Sequence, residues 1–180
     1  MSNRTLVLLK PDAVERQLVG QLLSRFETKG LKIVAMELRK LSNDILERHY
    51  EEHVGKGFYA DLVAFMSRNP VVALVLEGPE DTWEIVRTMM GATNPRAAAP
   101  GTIRGDFGTI FTENLVHGSD SAESAAREIG IFFPNLKCET PFYNRHPVSP
   151  CTLQIPTLQL QPHDPSAHQP HAVPLGNHQR

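Results

Sequence analysis

The run Asn114-Leu115-Val116-His117-Gly118-Ser119-Asp120-Ser121 passes from one kind of structure to another within eight residues. Leu115 and Val116 form a short apolar segment of strand type, His117 closes it, and Gly118 lets the chain turn tightly without a Cβ in the way. Asp120, with Glu123 three positions on, is expected to N-cap a helix through a capping box. That helix carries Ala122, Ala125, Ala126, Ile129, Phe132 and Phe133 at helical spacing, so one of its faces is apolar. Glu128 falls on a different stripe and can fold back toward the imidazole at the strand end.

Upstream, Leu6 to Leu9 is a continuous apolar run of strand length, stopped where Lys10-Pro11-Asp12 removes a ladder donor. Val19, Leu22, Leu23 and Phe26 then repeat at helical spacing, ending at Lys29-Gly30. Leu31 to Leu38 reads as a second strand, and Ser42 caps a short helix bearing Ile45, Leu46 and His49. Phe58, Leu62, Phe65 and Met66 mark another helix, closed by Asn69-Pro70. Val71 to Leu76 is a third buried strand, and Asp81 with Glu84 opens a helix carrying Ile85, Val86, Met89 and Met90. From Gly91 to Glu113 periodicity stops, and a structureless loop of that length inside a compact domain is usually functional. The order predicts an α+β fold of ferredoxin-like type: a four-stranded antiparallel sheet with helices packed on one face.

Composition narrows the function. A formal net charge of -2 gives no global attraction to nucleic acid or anionic membranes, so any anion site must come from local clustering of basic groups. No apolar run approaches the length of a membrane span, the N-terminus lacks a signal-peptide pattern, and Cys138 and Cys151 both lie beyond the last amphipathic helix. A cytoplasmic protein without structural disulfides is expected. Residues 1–136 form the folded domain. Residues 137–180 differ in kind: they hold eight of the fourteen prolines and five of the eight histidines, without apolar period, and are expected to be disordered or extended. The histidines at 163, 168, 171 and 178 fit no compact metal-ligand set.

A free imidazole titrates near about 6.5, so at neutral pH it offers a lone pair for attack. A neighbouring carboxylate would orient the ring and stabilise the charge that grows on it. The string Asn-x-x-His-Gly-Ser-Asp-Ser closely resembles the active-site signature of nucleoside diphosphate kinases, and the resemblance extends over roughly residues 4 to 136. It implies the same fold. It also implies transfer of the γ-phosphate of a nucleoside triphosphate, mainly ATP, to a nucleoside diphosphate by a ping-pong route. In that route His117 carries the phosphoryl group, on the pros nitrogen in the family, although the residues alone leave the ring nitrogen open.

The resemblance further implies that Glu128 orients the ring, and that Lys10, Tyr50 and Ser119 help hold the catalytic constellation. Lys10, Arg87, Thr93, Arg104 and Asn114 would line the phosphate and sugar. Phe58 matches the aromatic that stacks on the base, with Leu62 on the same helical stretch. Base stacking tolerates any base, which suits broad nucleotide use. No all-protein metal cage is visible, so Mg²⁺ is expected to arrive on the phosphates. Family members assemble as homo-tetramers or homo-hexamers, and one of these is expected here, without membrane or nucleic-acid partners.

Two rival readings remain. His49-Tyr50-Glu51-Glu52-His53 fits the His-x-x-Glu-His pattern of inverted zinc peptidases, since histidines four apart on a helix share a side. It lacks a third ligand, and Gly55 and Gly57 weaken any continuing helix. A non-catalytic binding module of the same fold is the other, against which intact Lys10, Arg104, His117 and Glu128 argue.

Overall fold

The structure, a computed structural model, describes residues 3–136. The proline- and histidine-rich segment read as disordered from sequence lies outside the described residues. Four strands, β1 (Arg4–Leu9), β2 (Lys32–Arg39), β3 (Val71–Glu77) and β4 (Val116–Gly118), form one sheet in the order β2-β3-β1-β4. Every pairing is antiparallel, with Leu6 opposite Val75 and Leu8 opposite both Ala73 and His117. β1 and β2 therefore run the same way with β3 between them, and β3 and β4 run the same way with β1 between them. This is the split βαβ arrangement of the ferredoxin-like fold.

Helices cover both faces of the sheet, not one. Val7 and Leu9 of β1 and Val72, Leu74 and Leu76 of β3 face a core with Leu22 and Phe26 from α2 (Val19–Thr28) and Val86 and Met90 from α5 (Thr82–Met90). The alternate residues Leu6, Leu8, Ala73 and Val75 face a second core. Leu46 from α3 (Asn43–His49), Met66 from α4 (Tyr59–Arg68) and Phe132 from α7 (Ala122–Phe132) fill that side. Two-sided burial is why β1 and β3 read as unbroken apolar runs. β2 is an edge strand, and its Met36 and Leu38 are exposed.

Several local expectations change. The sheet ladder ends at Lys10, and Pro11 then occupies the first position of a short helix α1 (Pro11–Glu15), where its missing N–H costs nothing. The segment 91–113 is not structureless: a 3₁₀ turn over Pro95–Ala97 and a helix α6 (Ile103–Phe107), capped by Thr102, lie within it. Both are too short for an apolar period to register. Asp81 adopts a left-handed conformation and gives α5 no side-chain cap; the hydroxyl of Thr82 instead donates to the carbonyl of Pro79. α7 is capped by Ser121, whose Oγ accepts from Ser124 N at 3.0 Å, and Asp120 accepts from the Ser124 hydroxyl. Gly118 belongs to β4 rather than to a turn. A Cβ there would sit 2.7 Å from Met90 Sδ and 3.3 Å from Val86 Cγ1, so any larger residue would have to displace the Met90 side chain of α5.

Candidate active site

His117 lies in the centre of β4, directly opposite Leu8, and opposed residues of an antiparallel pair point to the same face. That face is the one covered by α3, α4 and α7. Glu128, buried on α7, meets the ring: both of its carboxylate oxygens lie 3.1 Å from His117 Nε2. Ser119, fully buried, donates its hydroxyl to Glu128 Oε2 at 2.7 Å and accepts from the Leu6 backbone N–H at 3.3 Å. Burial alone would raise the Glu128 carboxyl, but the hydrogen bond and charge of His117, the charge of His49 and the Ser119 hydroxyl outweigh it and bring it down to about 2. Glu128 is thus a carboxylate at any physiological pH. With Nε2 turned to Glu128, Nδ1 is the other nitrogen of a ring whose side chain is 23% exposed.

A second group sits where β1 ends. Lys10 Nζ donates to Asn114 Oδ1 at 2.7 Å, and Asn114 Nδ2 donates to the carbonyl of Thr93 at 2.9 Å, tying β1 to the segment before β4 and to the loop after α5. Buried Arg104, on α6, donates Nε to the Asn114 carbonyl at 3.2 Å, Nη1 to that of Gly91 at 2.9 Å and Nη2 to that of Val116 at 2.7 Å. Burial, then the charge of Arg104, brings the Lys10 ammonium down to about 8, against a smaller opposing pull from Asp12. Burial, then Arg87, brings the Arg104 guanidinium down to about 10. Lys10 therefore feels Arg104, Arg104 feels Arg87, and the Arg104 hydrogen bonds all go to neutral carbonyls. Such an arrangement favours an incoming polyanion.

The sequence profile of nucleoside diphosphate kinases matches residues 3–138. A nucleoside diphosphate kinase from a Nocardioides species is 61% identical over 136 residues, which make up 76% of this chain and 100% of that one. This chain belongs to the nucleoside diphosphate kinase family. Another relative of that name, from Streptomyces avermitilis, is 62% identical over 135 residues, 74% of this chain and 98% of that one. Among solved structures, the halophilic nucleoside diphosphate kinase from Halobacterium salinarum in complex with CDP superposes with a TM-score of 0.71 at 45% identity. The match covers 74% of this chain and 88% of that one. A family member from Babesia bovis gives the same TM-score, 0.71, at 46% identity over 73% of this chain and 88% of that one.

The other residues expected from this nucleoside diphosphate kinase signature come from the end of α3, from α4 and α5, and from the loop after α5. Tyr50 is buried, and burial followed by the charge of Glu128 pushes its phenol above the usual range, so it stays protonated. Its ring stacks on His53 at 5.9 Å between centroids, and His53 meets Phe58 edge-on at 5.4 Å. Phe58, at the start of α4, is 52% exposed and free to present a face. Leu62, one turn further, is partly buried against the core on the α4 side. Arg87 occupies the last turn of α5, and Thr93 is exposed in the following loop. The inverted zinc-peptidase reading fails here: α3 stops at His49, and His53 belongs to the next 3₁₀ turn, so the two histidines do not stand one above the other on a helix.

Sequence reasoning gave no role to two residues that frame the site. Asp12, buried on α1, accepts the Leu115 backbone N–H through Oδ2 at 3.0 Å. Leu115 has φ 71, a left-handed conformation that costs a β-carbon-bearing residue about 1–2 kcal/mol. Lys10 N adds a 2.8 Å bond to the Leu115 carbonyl, so the turn that launches β4 is held from both sides. His49 is the other. Its ring lies edge-on to His117 at 4.7 Å and to Phe132 at 5.2 Å, with neither nitrogen hydrogen-bonded. In the sequence it stands only on the short helix after Ser42 and in the peptidase-like motif.

Members of this family use a divalent cation. Among the described residues the ligand-capable group is His49, His117 and Glu128, two imidazoles and one carboxylate. Mg²⁺ demands six hard ligands, mostly oxygen, so this set does not suit it.

Proposed function

We propose that this chain is an active nucleoside diphosphate kinase, moving the γ-phosphate of a nucleoside triphosphate, mainly ATP, to a nucleoside diphosphate through His117. The observation that carries the reading is the pairing of His117 Nε2 with a buried, permanently ionised Glu128, which leaves Nδ1 as the attacking nitrogen. In the first step the Nδ1 lone pair forms a bond to Pγ while the bond from Pγ to the β,γ-bridging oxygen breaks. The electron pair leaves with the nucleoside diphosphate. The ring keeps its proton on Nε2 and becomes a phosphorylated imidazolium, whose charge faces the Glu128 carboxylate. In the second step a terminal β-phosphate oxygen of another nucleoside diphosphate attacks the same phosphorus. The N–P bond breaks, and the electron pair returns to Nδ1.

Lys10, Arg87 and Arg104 offset charge on the phosphates, while Asn114, tied to Lys10, and the Thr93 segment bound the sugar side. Phe58, buttressed by His53 and Tyr50, offers the base a stacking face that does not discriminate between bases. Tyr50 acts through His49 and the ring stack, and Ser119 through Glu128, so both are positioning residues. The nucleotide enters with Mg²⁺ on its phosphates, the ion keeping several waters.

Residues 1–136 constitute the kinase domain in this reading, and 137–180 are an addition outside it. Assembly as a homo-tetramer or homo-hexamer is supported by the exposed apolar residues Met36 and Leu38 on edge strand β2. A cytoplasmic location accords with the lack, among the described residues, of any helix long and apolar enough to cross a membrane. The test is exchange of phosphate between ATP and a panel of nucleoside diphosphates, with His117→Gln in parallel. The variant should lose acid-labile labelling from γ-labelled ATP and nearly all turnover; labelling that persisted at another residue would refute the assignment.

A further inference from the structure

His49 is buried beside the reacting ring, and in the phosphoryl-transfer scheme it serves only as a ring packed between Tyr50 and His117, with no part for its two nitrogens. Both of its nitrogens are buried without a hydrogen-bond partner. Leaving such groups unmatched is costly, so an unsatisfied imidazole at an active site asks for an explanation. We propose that His49, His117 and Glu128 form a binding site for a borderline-soft divalent ion of the zinc class, whose occupancy withdraws His117 from phosphoryl transfer.

One ring nitrogen from each histidine and one carboxylate oxygen all lie within 4.8 Å of one another. The known edges are 3.1 Å from His117 Nε2 to Glu128 and 3.8 Å from His49 Nδ1 to Glu128 Oε1. A tetrahedral zinc with bonds of about 2.0–2.1 Å holds its ligands about 3.4 Å apart, so the His117–Glu128 edge opens slightly, the His49–Glu128 edge closes slightly, and the remaining edge draws in from no more than 4.8 Å. Two imidazoles and a carboxylate with the fourth position open form a recognised zinc donor set, and the same set discriminates against Mg²⁺. The second shell exists already: Ser119 holds the free Glu128 oxygen at 2.7 Å. The exposed side of the His117 ring gives the ion its way in.

The consequence for activity rests on the reading that Nδ1 attacks. A neutral imidazole bound to metal through Nε2 carries its single proton on Nδ1. The proton that Nε2 had shared with Glu128 therefore moves across the ring, and the lone pair that would attack Pγ is gone. No redox change and no other reactant is involved.

The experiment uses the full-length protein. Zn²⁺ alone is titrated by equilibrium dialysis, and Co²⁺ is substituted for it to report ligand geometry through its visible absorption. One ion per chain and a tetrahedral Co²⁺ spectrum are expected. His49→Phe keeps the ring contacts to Tyr50 and Phe132 but removes both nitrogens, and should raise the zinc dissociation constant by more than about tenfold. Glu128→Gln should do the same, and serves if His49→Phe fails to fold. Binding that both variants leave unchanged comes from elsewhere, such as the five histidines beyond residue 138, and would overturn the site.

In the second arm, phosphoenzyme formation from Mg-ATP is followed at buffered free zinc, as the ratio of rates with and without zinc in each protein. That ratio should fall at least tenfold in the parent and stay near one in His49→Phe. Zinc that binds through His49 yet leaves the parent's labelling rate unchanged would overturn the withdrawal of His117 and count against attack by Nδ1. Normal labelling with no zinc binding would overturn the site and leave the kinase reading standing.

Discussion

Replacing Glu128 by glutamine keeps the shape of the side chain and removes its charge, which isolates what the carboxylate does for His117. Glu128 is drawn from the ordinary 4.5 to about 2 by the His117 ring and its other partners, net of the opposing effect of burial. At about 1.4 kcal/mol per unit this is a preference for the charged form of about 3 kcal/mol. A phosphorylated imidazolium bears a full positive charge and the transition state part of it, so about half to all of that energy is lost from the barrier. Phosphoenzyme formation should slow by about 10- to 150-fold. The assay is single-turnover labelling from γ-labelled ATP by rapid quench. Nucleotide affinity, measured separately by titration with a non-transferable analogue, should change little, because Glu128 faces the ring and not the phosphates. A folded Glu128→Gln protein that labels within twofold of the parent would refute the reasoning.

Lys10, held near pKa about 8, is partly neutral in the free enzyme above pH 8, and a bound polyphosphate should restore its proton. Nucleotide binding should therefore take up a proton at pH 8.5–9 and none at pH 6.5, read by calorimetry in buffers of different ionisation enthalpy. The same depressed value means that the unfolded chain binds more protons between about pH 8 and 10.5, so Lys10's contribution to stability rises with pH across that window. Asp12→Ala strands the buried Leu115 N–H and should cost about 1–3 kcal/mol in urea denaturation, with a fall in kcat as β4 loses its anchor. Arg104→Lys cannot reach all three carbonyls and should cost about 3 kcal/mol, so an unchanged urea midpoint would contradict the role given to those bonds.

The layered architecture was legible because β1 and β3 are continuous apolar runs and α2, α4, α5 and α7 carry regular apolar spacing. Burial of those runs on both faces was the clue that the helices could not all lie on one side. The histidine and the carboxylate two turns into the last helix could be placed near one another from spacing, whereas the hydroxyl of Ser119 joins them only through the family resemblance. Leu8 opposite His117 completes that picture, since the ladder aims the ring toward α7. What stayed hidden depends on long-range contact. Asp12 reaches Leu115 across 103 positions, and no local pattern announces a left-handed leucine. α6 escaped notice because five residues carry no period, although it is the element that turns Arg104 inward. His49 was visible only as a residue of a short helix and as half of a motif that the end of α3 dissolves. Its true neighbours, His117 and Glu128, come from β4 and α7.

The most direct test of the central claim is a ³¹P spectrum of the phosphoenzyme prepared from ATP with ¹⁵N-labelled histidine. The account predicts a single acid-labile phosphorus coupled to Nδ1 of His117. Coupling to Nε2, phosphate on another residue, or no phosphohistidine at all would contradict it.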